Sequence, residues 1–273
     1  MTYGIAAYKV TPEFCAEELD YILSLGGIEV KYEQKLGNDL SLKELQQNYD
    51  AVFLAFGVGL TRQLAIPGEE LEGVVDAIHF IYDLRSKGYP AIPVGDKVVV
   101  VGMGMTAIDA AVQAKLLGAQ SVHMVYRRAP AAMSASMAEQ ELALTRGVFI
   151  QHWLAPLEIM ASQGDQAHVG VVRFARQALV NGKLVPTGET EIIEADIVLK
   201  AIGQQLGNPW LAQAGLKLNG GRIATDAVGL TSLSGVWAGG DCRAGGLDLT
   251  VEAVEHGKQS ARAIHAYLFN PTH

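Results

Sequence analysis

Short continuous apolar runs alternate along this chain with segments whose apolar residues recur at helical spacing. That alternation predicts an α/β fold built on parallel strands. Residues 13–25 read as a helix, with Phe14, Leu19, Ile22 and Leu25 available for one face and Gly26-Gly27 ending it. Ile28 to Tyr32 reads as a short strand. Ser41-Leu42-Lys43-Glu44 has capping-box spacing and predicts a short helix, since hydroxyl and carboxylate can satisfy free backbone donors reciprocally. AVFLAFG at 51–57 is an apolar run ending in glycine, as expected of a strand buried on both faces, and KVVVVG at 97–102 reads as another buried strand. Thr106 to Leu117 reads as a helix stopped by Gly118, 122–128 as a strand and 133–147 as a helix. Further strands are predicted at 148–152, 169–179, 192–202 and 235–238, and a last helix from about Thr250 to Leu268. Pro67-Gly68 and Gly88 to Pro93 are loop signals, the second taken as a domain crossing.

Composition narrows the function classes. With 273 residues, 49% hydrophobic and 18% charged, the chain has material for two modest domains or one large one. A net charge of −8 argues against a nucleic-acid surface, which needs clustered Lys and Arg. The apolar stretch around Ala51 to Leu60 is too short to span a bilayer, and the first residues lack a secretion signal. Two distant cysteines, Cys15 and Cys242, are too few for an iron–sulfur cluster or structural zinc, and no Cys-x-x-Cys is present. A reduced, cytoplasmic protein without a metal site is expected. His123, His152 and His256 show no ligand spacing and read as surface or packing residues.

The most informative stretch is KVVVVGMGMTAIDAA at 97–111. Gly102-Met103-Gly104-Met105-Thr106-Ala107 lies between a predicted buried strand and a predicted helix, the context a dinucleotide fingerprint requires. Gly102 permits a tight turn, Gly104 lets backbone approach a pyrophosphate, and Ala107 keeps the helix close to the sheet. The helix N-terminus then offers unpaired N–H groups to phosphate. Twenty positions beyond Ala107 stand Arg127 and Arg128, where an NAD site would place an acidic residue. Guanidinium groups pair with a 2′-phosphate, so NADPH is the expected ligand.

These motifs, with VYRR at 125–128 and VWAGGDC at 236–242 followed by TVEAVEHGK at 250–258, resemble the glutamate synthase small subunit. They equally resemble the flavin- and NAD(P)-binding subunit of dihydropyrimidine dehydrogenase. YGIAAYKVTPEF at 3–14 is similar to a segment of the same family, a group of pyridine nucleotide-disulfide oxidoreductase-like proteins. The resemblance implies two Rossmann-like dinucleotide-binding domains, with the NADPH domain inserted into a truncated FAD domain. It implies FAD-domain material at 1–90 and 207–273, and an NADPH domain at 91–206. AFG at 55–57 and AIG at 201–203, ending at Gly203, match the turns where such chains pass between domains. Gly240 and Asp241 match a site at which the aspartate contacts the FAD ribityl chain; Thr250 and Val251 would begin a helix aimed at the flavin.

The family carries a second G-x-G-x-x-G upstream of its YGI segment, and this chain starts too late to contain it; a fragment or a shortened start is expected. Asn is usual in the family at the position of Met105. The expected function is an electron-input module, passing hydride from NADPH to FAD and electrons onward to a larger iron–sulfur or catalytic subunit. The chemistry is that of the cofactors, so no catalytic side chain is assigned. The alternative is a non-catalytic pyridine-nucleotide-binding or assembly module that cannot hold FAD stably.

Overall fold

The computed structural model describes residues 3–88, 92–207 and 209–269. The first elements are helices α1 (Pro12–Ser24) and α2 (Leu42–Asn48), strands β1 (Val52–Leu54), β2 (Leu60–Thr61) and β3 (Val74–Asp76), and α3 (Ala77–Lys87). Then come β4 (Lys97–Val101), α4 (Met105–Leu116), β5 (Ser121–Tyr126), α5 (Met137–Thr145) and β6 (Phe149–His152). β7 (Leu154–Ala161), β8 (Val169–Val180), β9 (Lys183–Glu194), β10 (Ile197–Lys200) and β11 (Gln204–Gln205) follow. The last are α6 (Trp210–Gln213), β12 (Leu218–Asn219), β13 (Arg222–Ile223), β14 (Val236–Ala238) and α7 (Thr250–Phe269).

The chain divides into two compact units, one of residues 1–26 and 62–203, the other of 27–61 and 204–273. The first is built on a five-stranded sheet of order β3-β10-β4-β5-β6, parallel throughout. Its central strand explains itself. Val98, Val99, Val100 and Val101 are β-branched, at most 4% exposed, and supply apolar surface to both faces. One face packs under α4, whose Ala107, Ala110, Ala111 and Ala114 are fully buried and allow close helix–sheet approach. The other face meets an antiparallel sheet of order β7-β8-β9 through Leu154, Ile159, Val172 and Phe174.

Residues 3–26 belong to this first unit. The Tyr8 hydroxyl donates to Asp109 Oδ1 on α4 at 2.9 Å, and Lys9 Nζ lies 2.6 Å from the same carboxylate and 2.7 Å from Glu139 on α5. A buried Asp109 is tolerated because both partners compensate its desolvation.

The second unit pairs β1 with β14 in parallel, and β2 with β11 and β12 with β13 antiparallel. Its core is Leu42, Leu54, Leu211, Ile223, Val236 and Cys242 with their neighbours. The capping box at Ser41 and Glu44 forms with both of its hydrogen bonds.

Several expectations change. Residues 28–32 form no strand; Ile28, Val30 and Tyr32 are exposed, so nothing buries the face that alternation would require. The run at 51–57 yields only three strand residues, and Phe53 between two buried neighbours is 37% exposed. The helix expected at 133–147 starts at Met137, where Ser136 and Glu139 form a capping box, after a 3-10 turn at Pro130–Ala132. The strand expected at 192–202 is two, β9 and β10, broken at Ala195-Asp196. The chain passes between units at 61/62 and 203/204, and additionally at 26/27, rather than at 90/91 and 206/207. Residues 62–88 stay with the first unit because β3 pairs with β10 and α3 packs beside α4. Of the loop expected at Gly88 to Pro93, Tyr89 to Ala91 lie outside the described residues.

Candidate nucleotide sites

In the first unit, β4 ends at Val101 and the chain turns through Gly102 into α4. Gly102 has φ +136°, and a Cβ there would lie 2.1 Å from the Ala201 carbonyl oxygen. Only glycine allows β10 and the turn to approach so closely. Its N–H donates to Val125 O at 3.0 Å, extending the β4–β5 register in which Val101 faces Val125. Gly104 is the α4 N-cap and has no side chain to cap the helix, so the first amides of α4 keep their hydrogen-bonding capacity and the positive end of the dipole. Met103 and Ala107 are buried, Gly104 and Met105 partly so, and Thr106 is exposed.

The same register carries β5 past the glycine turn, and its extension places Arg127 and Arg128, both exposed. The loop after them is pinned. Tyr126 Oη donates to Ala132 O at 2.7 Å, Trp153 N to Arg128 O at 3.4 Å, and Ala135 N to Met103 O at 3.3 Å. Ser134 Oγ would lie 3.4 Å from a Cβ at Gly104, so this loop borders the glycine turn. All eight sequence-predicted residues of this site therefore converge at the carboxyl ends of β4 and β5, the topological position where open parallel sheets bind ligands. Gly203 follows β10 in the same unit, with φ +97° and its carbonyl accepting from Arg62 N at 3.2 Å.

The second unit holds Gly240, Asp241, Thr250 and Val251. β14 ends in Gly239-Gly240-Asp241, and this turn lines a cleft of about 190 Å³ with Phe53, Ala55, Gly57 and Ala253. A Cβ at Gly239 would lie 2.7 Å from Phe53 Cζ, so the turn is as thin as glycine makes it. Burial, and then the nearby Asp248 carboxylate, push the Asp241 pKa upward. A carboxylate so placed gains from a hydroxyl donor. Asp248 is itself held by Arg222, whose Nη2 donates to Oδ2 at 2.8 Å. Thr250 and Val251 form the exposed first turn of α7.

Two further residues stand out, His256, which the sequence reading took as a surface or packing histidine, and Lys200, which it did not single out. His256 is buried, and its Nδ1 accepts from Gly240 N at 3.2 Å; its only sequence signal was its place on the helix after the Gly-Gly-Asp turn. Lys200, at the end of β10, lies 2.9 Å from Glu69 Oε1 and 3.3 Å from Asp76 Oδ1. A lysine in an otherwise apolar strand was the signal there. Cys242 is fully buried with its thiol between the Gly239 and Leu54 carbonyls, and burial raises its pKa, which suits packing rather than reactivity. Among the described residues no His, Cys, Asp or Glu cluster able to hold a metal occurs, and no helix is long and apolar enough to cross a membrane.

An open parallel sheet whose glycine turn feeds an uncapped helix, with a Gly-Gly-Asp turn lining a cleft in the second unit, defines an architecture of the dinucleotide-binding α/β class. The chain belongs to the pyridine nucleotide-disulphide oxidoreductase family, whose pattern matches residues 13–257. It is 33% identical to the NADP(+)-dependent formate dehydrogenase subunit beta of Moorella thermoacetica, over 98% of this chain and 38% of that protein. It is 31% identical to a putative glutamate synthase [NADPH] small chain of Cereibacter sphaeroides, over 99% of this chain and 68% of that one. The chain spans well under half the length of several such relatives, 38% to 44%. Mycobacterium tuberculosis FprA, solved in complex with NADPH, shares the fold, with a TM-score of 0.72 at 19% identity over 98% of this chain and 75% of FprA.

Proposed function

We propose that the first unit binds NADPH, that the second provides part of an FAD site, and that the chain serves as the electron-input portion of a larger oxidoreductase. The observation that carries this reading is the Gly102 turn, its Cβ space taken by the Ala201 carbonyl, opening an uncapped helix beside two exposed arginines. Residues 102–107 would hold the pyrophosphate through backbone N–H groups. Arg127 and Arg128 would pair with the 2′-phosphate. Gly203 would give backbone clearance where the chain leaves the first unit. In the second unit, Asp241 would accept a hydrogen bond from a flavin-chain hydroxyl, Gly240 would let that chain approach, and Thr250 and Val251 would present the α7 N-terminus to the ring. The thin Gly239-Gly240 turn and its cleft fit such a group. When bound, NADPH supplies a hydride, and FAD accepts it and releases the electrons singly. The relatives' names, an NADP-dependent formate dehydrogenase subunit and glutamate synthase small chains, support a partner subunit that takes those electrons.

A second reading is a nucleotide-binding or assembly module without turnover, in which the thin Gly239-Gly240 turn and its cleft of about 190 Å³ do not hold FAD stably. A visible spectrum of the purified chain with FAD, followed by an NADPH-driven dye-reduction assay, separates the two. Yellow protein that reduces dye is expected; a colourless protein that binds NADPH and reduces nothing defeats the enzyme reading.

A further inference from the structure

His256 is 9% exposed on α7 and sits against the Gly239-Gly240-Asp241 turn. Its Nδ1 accepts the Gly240 N–H at 3.2 Å. A backbone N–H only donates, so Nδ1 must carry no proton and the ring proton sits on Nε2, which faces Glu252 Oε1 at 3.9 Å. Its Cβ stands 3.0 Å from where a Gly239 Cβ would be, so the base of the side chain abuts the turn from the helix side. Gly240, at φ +67°, and Asp241 line the cleft already assigned to the flavin chain.

We propose that His256 is a positioning residue that holds the Gly239-Gly240-Asp241 turn in its flavin-receiving geometry only while its ring is neutral, so that flavin binding is gated by pH. This rests on the reading of the second unit as part of an FAD site. Protonation puts a hydrogen on Nδ1, and two donors then face each other where one hydrogen bond stood. The Gly240 amide is left unpaired and the turn relaxes. The charged groups around the ring are Glu252 on its own helix and Asp241 in the turn, with Asp248 of the preceding loop neutralised by Arg222.

Calorimetric titration of the full chain with FAD from pH 8 to pH 5.5 tests this, with the His256 ring titration followed by NMR on the same protein. Wild-type affinity is expected to fall roughly five- to tenfold on protonation, with its midpoint at that of the ring. His256→Asn, whose side-chain oxygen can accept near the Nδ1 position and does not titrate, should keep its alkaline affinity across the range. His256→Leu should bind weakly at every pH. A purely packing role predicts the reverse order, with Leu tolerated and no pH step. FAD bound by wild type with a flat pH profile, or an Asn variant that loses affinity with the wild-type midpoint, overturns the gate alone. FAD binding to none of the three at pH 8 overturns the flavin reading and the gate with it.

Discussion

Arg127 and Arg128 owe their interest to charge rather than packing, because both are exposed at a strand end beside the glycine turn. Replacing Arg127 by Asp should therefore leave stability almost unchanged and invert the nucleotide preference. A lost charge-assisted contact of roughly 1.5–3 kcal/mol corresponds to a loss of about tenfold or more in NADPH affinity, with NADH spared. Titrations with both nucleotides check it, and unaltered NADPH selectivity would discard the arginine's role. Gly102 behaves oppositely. In Gly102→Ala the methyl would sit 2.1 Å from the Ala201 carbonyl oxygen at a φ of +136°, so either the turn or β10 must move. A cost of roughly 2 kcal/mol or more is expected in urea unfolding, together with loss of NADPH binding. The glycine turn and the arginine pair were legible in the sequence because each depends on a few consecutive residues between a strand and a helix. His256 was not, because its partner amide lies 16 residues away and becomes adjacent only when α7 folds back on β14.

At the scale of elements, the parallel sheet was legible where apolar runs were continuous, as in β4, and obscure where strands alternate on a half-exposed sheet. β7 and β9 each contain a proline, Pro156 and Pro186, and β9 is exposed along most of its length, so neither reads as a core strand. The turn between β8 and β9 did carry a signal. Asn181 and Gly182 both take positive φ, the backbone that a two-residue hairpin demands. Element packing also explains Lys200, a buried ammonium at the end of β10 that clamps Asp76 at the end of β3 and Glu69 in the loop before it. Glu69 in turn accepts from the Leu64 and Ala65 amides at 2.9 and 2.7 Å, so one lysine orders a whole connection. Lys200→Met should cost roughly 2–3 kcal/mol, since two carboxylates lose their counter-ion. The pH dependence has a definite sign. Despite burial, the Lys200 contact and the two amides hold the Glu69 pKa below its ordinary value of 4.5. That contribution is present in full above the unfolded pKa and disappears as pH falls through the lower folded one. The stability gap between wild type and Lys200→Met should therefore be wide at pH 7 and shrink only below about pH 4.5. A gap that stays constant down to pH 2 would show that the clamp acts by packing alone.

For the whole molecule, two dinucleotide-type units with one interrupting the other were anticipated, yet the first crossing lies at 61/62 rather than 90/91, a further one falls at 26/27, and the last differs by only three residues. The reason is that an α/β unit recruits strands by sheet position rather than by sequence proximity. β3 and α3 precede the apparent linker but are built into the five-stranded sheet and its helix layer. Residues 3–26 join the same unit because Lys9 and Tyr8 satisfy the buried Asp109, a long-range polar contact that no apolar pattern announces. This division has a direct consequence. A chain joining residues 1–26 through a flexible Gly/Ser linker to residues 62–203 contains every element of the first unit and the proposed NADPH site. It should unfold in one cooperative step and bind NADPH within a few-fold of the full chain. The same chain begun at residue 62 leaves Asp109 and Glu139 without Lys9. It should be less stable by roughly 2–3 kcal/mol, because a buried carboxylate loses both its partners. Adding Asp109→Ala to the shortened chain should recover part of that loss by removing the uncompensated charge. Urea unfolding and calorimetric NADPH titration decide the matter. If the chain begun at residue 62 matches the joined one in both, residues 1–26 are an appendage rather than part of the nucleotide-binding unit.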